Sequence, residues 1–245
     1  MFRKGALLLS AFLIFSLTLF LVRWDSVATF AESEKDQEVL LIQRALQAKG
    51  IADREPADTL IVKGDFSPIE GQENILVVNM SKHQAFLAAF EEESNRLIAL
   101  SKDTSMISKA TSFDLPGLEI SGIFVEEKAD NRLGGFEETT WNRIYRIDDQ
   151  NVFHQIFAHV QESEYYWHES WDDPKGLYWH GVHEENKLTY PSPGTIEIAK
   201  KVKRLRSAGD PHLLPDLAEF TVASTEDSVV TYLWDDKQLR FIEKK

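Results

Sequence analysis

With 27 basic residues against 40 acidic in 245, and no cysteine, the chain has no disulfide framework, no thiolate nucleophile and no cysteine-ligated metal. A net charge of −13 disfavours nucleic acid and anionic lipid as general partners and keeps a folded chain soluble. Stability must come from burial.

At the start, Arg3 and Lys4 precede GALLLSAFLIFSLTLFLV from Gly5 to Val22, which Arg23, Trp24 and Asp25 close. An uncharged run of about 18 residues has membrane-spanning length, whereas a signal-peptide core is usually about 7–15 apolar residues. Small residues at Ser26-Val27-Ala28 and Thr29-Phe30-Ala31 also offer cleavage sites, so anchor and signal both stand. In either form the N-terminal cations stay in the cytoplasm and the remainder lies outside. The expectation is a signal or anchor segment over 1–31 and one extracytoplasmic β-rich domain over 32–245, held by a single N-terminal helix or secreted after cleavage. Without Arg3, Lys4, Arg23 and Asp25, that domain has 24 basic and 39 acidic residues, a formal charge of −15.

Ser33 is placed to cap a helix in which Val39, Ile42 and Leu46 share a face, and Gly50 ends it. Beyond it the period changes. Runs rich in Val, Ile, Leu, Phe and Tyr at 59–66, 73–80, 84–92, 96–102, 118–127, 139–147, 151–160, 176–182, 217–224, 229–236 and 238–244 are separated by turn residues and predict antiparallel strands. Three stretches echo one another: Phe90-Glu91-Glu92-Glu93-Ser94-Asn95-Arg96-Leu97, Ile147-Asp148-Asp149-Gln150-Asn151-Val152 and Trp234-Asp235-Asp236-Lys237-Gln238-Leu239. Each has an apolar residue, an acidic pair, a polar turn and an apolar residue again, as a solvated hairpin requires. About three repeated sheet units are expected, arranged as a degenerate propeller or a sandwich.

The phrase Gly64-Asp65-Phe66-Ser67, then Gly71-Gln72-Glu73-Asn74-Ile75-Leu76-Val77-Val78, and the closing Tyr232-Leu233-Trp234-Asp235-Asp236-Lys237 resemble the integrin-type (FG-GAP-like) β-propeller repeats of bacterial extracytoplasmic proteins. That resemblance implies sheet repeats and, in the family, a calcium-holding loop. Here the loop at 65–74 offers only Asp65, Glu70 and Glu73, so no cofactor is expected.

Between Pro191 and Pro211, Ile198, Val202 and Leu205 can share one helical face, which predicts a helix near 195–208. Its Lys200, Lys201, Lys203, Arg204 and Arg206 form a basic cluster in an acidic chain. Two accounts fit that cluster: cations complementing a helix C-terminus, or a patch that docks an anionic polymer or the membrane surface.

Four of the six tryptophans and five of the seven histidines fall between Trp141 and His183, which makes this the densest stretch of recognition chemistry. Its centre, Trp167, His168, Trp171, Tyr178, Trp179 and His180, can form an aromatic surface that stacks on a sugar or grips a peptide. The same residues would serve equally as packing under a long connection. His154 and His159 differ in strand parity, as do His180 and His183, so neither pair chelates one ion and no metal is expected. No GxSxG elbow, Walker loop, GxGxxG or HExxH is present. A non-catalytic cell-envelope protein that binds a polymer, a peptide or another envelope protein is therefore the leading expectation. An envelope hydrolase using acidic residues of 162–185 is the alternative.

Overall fold

The computed structural model describes residues 35–131 and 136–244. The Gly5–Val22 segment lies outside them, and no helix among the described residues is long and apolar enough to cross a membrane. Among the described residues, one α-helix, α1 (35–49), is followed by twelve strands. β1 (Asp58–Gly64), β2 (Glu73–Ser81), β3 (Gln84–Glu91) and β4 (Leu97–Leu100) form a four-stranded antiparallel sheet in chain order. β5 (Met106–Asp114), β6 (Ser121–Asp130), β7 (Phe136–Ile147), β8 (Phe153–His168), β9 (Tyr178–Ser192), β10 (Thr195–Ala208), β11 (Thr221–Asp235) and β12 (Arg240–Glu243) form an eight-stranded one, again in chain order.

The pleat of β2 explains the layering. Its alternate residues Leu76, Val78 and Met80 meet Leu41, Ala45 and Leu46 of α1, while Ile75 and Val77 meet Ile107, Ile123, Val125 and Tyr145 of the larger sheet. A strand buried on both faces reads as a continuous apolar run, as β2 does. The helix, the small sheet and the β5–β7 end of the large sheet therefore stack as three layers.

The large sheet does not stay flat. β8 pairs with β7 along its length but with β9 only from Glu162 to His168. At the parting, Gln161 has no β7 partner between Val160 and Glu162, a bulge that bends the strand. Asn186 of β9 fills the gap, donating through Nδ2 to the Val160 carbonyl at 2.9 Å. Below this fork the two leaves close on a common core, Ile144, Ile156 and Phe157 from one side against Ile196, Ile198 and Phe241 from the other. Phe113 of β5 then comes within 6.3 Å, ring to ring, of Phe241 of β12.

The three echoed stretches are all hairpin turns, joining β3 to β4, β7 to β8 and β11 to β12. Each has one non-glycine residue with positive φ, Asn95, Asn151 and Leu239, which two-strand turns demand. Asp148 and Asp235 each accept two backbone N–H groups of their own turn, so the acidic pairs act as turn residues. The sheets number two, however, where about three units were expected.

The helix expected near 195–208 is a strand. Pro193 and Gly194, the latter at φ 75, make a two-residue turn between Ser192 and Thr195. β10 then pairs with β9 and β11 along nearly its whole length. The alternation of Ile196 and Ile198, both buried, serves the strand, and ladders on both sides outweigh the helix propensity of its Lys and Arg residues. β5 was not anticipated, because its residues, MISKATSFD, alternate weakly.

Candidate binding face

The two Trp-His dipeptides meet across β8 and β9. The antiparallel register sets Trp167 opposite His180 and His168 opposite Trp179. Successive side chains on a strand point to opposite faces, so each face receives one tryptophan and one histidine. The six expected site residues are thereby divided.

On one face Trp167 is the middle of a stack: its ring lies 5.2 Å from that of Tyr165 and 5.3 Å from that of His180, each at 20°. Tyr165 is 43% exposed. Next to it, the Arg206 guanidinium lies 3.6 Å over the Tyr178 ring, since β10 sets Arg206 opposite His180. Glu169 joins these groups, with Oε1 2.7 Å from His180 Nε2 and 3.6 Å from Arg206 Nη2, while Oε2 accepts the Leu177 N–H at 3.1 Å. The hydrogen bond from His180, more than any other contact, holds the Glu169 carboxyl below its usual range.

The opposite face is closed. Trp179 is 1% exposed and donates through Nε1 to the Asp210 carbonyl at 2.9 Å. Rings of Phe136, His168 and Trp171 surround it at 5.9, 5.3 and 5.6 Å. His168 is equally buried, its Nδ1 accepting the Ser170 N–H at 3.1 Å. Tyr166 lies across Gly181 and touches Phe220; a Cβ at Gly181 would come within 2.7 Å of the Tyr166 ring. The segment 209–220 runs over this side, so Trp179 and His168 belong to the core. Trp171, 46% exposed, packs edge-on against Trp179 and is no part of the Trp167 stack.

The basic cluster is divided in the same way. On β10, Lys200, Arg204 and Arg206 share one parity and Lys201 and Lys203 the other. Lys200 pairs with Glu184 at 2.9 Å, and Arg206 is engaged with Glu169 and Tyr178. One continuous patch does not form.

Near the fork, burial pushes the imidazole of His159 down to about 4, with Glu184 opposing and Lys200 reinforcing the shift. Burial raises the Glu184 carboxyl, but hydrogen bonds from Asn186 and Lys200 outweigh it and leave the group below its usual range.

One grouping was missed because it needs the register. Glu162 and Glu164 share a strand face, and His183 stands directly opposite Glu164. Their ligand atoms lie within 4.8 Å of one another, which makes these three the described residues best placed to hold a metal ion. The Glu-x-Glu spacing was readable, but the histidine across from it was not.

Comparison with family models, with curated proteins and with solved structures returned no match.

Proposed function

We propose that this is a non-catalytic cell-envelope protein, placed outside the cytoplasm by its apolar N-terminal segment, that binds an envelope polymer, peptide or protein through the open face of β8, β9 and β10. The stack of Tyr165, Trp167 and His180, continued by Arg206 on Tyr178, supports this reading. Rigid aromatic and arginine side chains that already fix one another lose little conformational freedom on binding. Glu169 holds the histidine and the arginine in place, as a prepared contact surface requires.

The hydrolase reading has less support. Glycosidase carboxyls stand on opposite sides of a bond at separations of about 5–9.5 Å, whereas the ligand atoms of Glu162 and Glu164 lie within 4.8 Å of each other on one strand face. The decisive experiment is co-sedimentation of the full chain with isolated envelope polymer. Joint replacement of Tyr165 and Trp167 by Ala should abolish binding while the melting temperature falls by no more than about 5 °C. Retained binding by that variant would remove the proposed surface.

A further inference from the structure

Three strands bring carboxylates together on one side of the large sheet. Glu138 of β7 stands opposite Glu164 of β8, and Glu162 of β8 stands opposite Glu185 of β9. Like charges directly across a ladder are destabilising, and here two such pairs are adjacent. His183 of β9, opposite Glu164, completes the group. Lys203 of β10 stands opposite His183 in turn, yet among the described residues no lysine or arginine forms an ion pair with Glu162, Glu164 or His183. Alternation along β8 and β9 sets this group on the side of Tyr166 and Trp179, away from the Trp167 stack.

The imidazole of His183 is left unsatisfied. Its Nε2 is shielded from solvent and has no hydrogen-bond partner, although Glu162 Oε1 lies 3.4 Å away, and the ligand atoms of Glu162, Glu164 and His183 all fall within 4.8 Å of one another. A buried ring nitrogen unpaired beside carboxylates is costly, and a cation held among them removes that cost. Two atoms bound to one tetrahedral zinc ion at about 2.0–2.1 Å stand about 3.3–3.4 Å apart, which is the Nε2–Oε1 separation here. The group is within reach of solvent, since the Glu162 side chain is 53% exposed and a cavity of about 170 Å³ is lined by Glu138, Thr140, Glu162 and Glu164.

We propose that Glu162, Glu164 and His183 bind one divalent transition-metal ion of the zinc class. One imidazole nitrogen with two carboxylate oxygens suits zinc, whereas calcium and magnesium take oxygen ligands. Three protein ligands leave a fourth position for water. The ion clamps β8 to β9 where their pairing begins, at Glu162. The site is independent of the aromatic face.

The test is calorimetric titration of the chelator-stripped full chain with zinc, cobalt and calcium chlorides near neutral pH. One zinc ion per chain is expected, in the micromolar range or tighter, with calcium at least about a hundredfold weaker. Bound cobalt should show the visible absorption of a protein-ligated ion in place of the aquo-ion spectrum. His183→Gln and Glu164→Gln should each weaken zinc binding at least about tenfold. Glu226→Gln, which removes an exposed carboxylate on the other face of the sheet, should leave it unchanged. Equal affinity for zinc and calcium, an aquo-ion spectrum for bound cobalt, wild-type zinc binding by either ligand variant, or an equal loss in Glu226→Gln would overturn the proposal, each by showing only the attraction of cations to an acidic surface.

Discussion

The two faces of the β8–β9 pair have almost the same inventory: Trp167, His180 and Tyr165 on one, Trp179, His168 and Tyr166 on the other. What separates them is covering. The segment 209–220 supplies the Asp210 carbonyl and Phe220 to one face, and Trp179 becomes core; on the other, the stack stays partly open, with Tyr165 at its end. Composition therefore says nothing about which tryptophan recognises and which one packs.

The largest expected effect breaks this comparison directly. Trp179→Ala should cost about 3–5 kcal/mol, as loss of a buried large aromatic does, whereas Trp167→Ala should cost under about 1 kcal/mol. Urea melts of the two variants would show it, and equal losses would erase the distinction. Next in size is Gly181→Ala, whose methyl meets the Tyr166 ring on the closed side. Overpacking of this kind costs about 1–3 kcal/mol, and binding through the open face should survive it.

On the open face the effect lies in affinity. Trp167→Ala should weaken polymer binding by at least about tenfold, or about 1.4 kcal/mol, the lower range for a central aromatic anchor. A variant that binds normally would leave the stack without a recognition role. The smallest change concerns pH, because His159 is only partly buried. Its folded-state value of about 4 lies below the ordinary 6.5, so the unfolded chain takes up the proton first. The stability that comes from keeping this imidazole neutral is present above about pH 6.5 and is lost as pH falls from there through about 4. His159→Gln should flatten that part of a stability-against-pH curve. An unchanged slope would assign the dependence elsewhere.

Some of this was legible in the residues alone. α1 follows from apolar spacing and the Gly50 stop. The mainly β character follows from short apolar runs between turn residues, and the three echoed turns follow from acidic and amide chemistry that acts within four or five positions. Such features depend on neighbours in the chain, so the sequence by itself determined them. β10 shows the limit: its Lys and Arg residues favour a helix locally, but β9 and β11 offer hydrogen bonds on both edges, and only the assembled sheet supplies those. The site followed the same rule. Trp167 and His168, like Trp179 and His180, are neighbours in the chain and face opposite ways in the sheet, and the Glu164–His183 approach appears only once the strands are in register. Which face stays open was decided by a segment some 30 residues further on, at Asp210, because burial is a property of what packs above a side chain and not of the side chain itself.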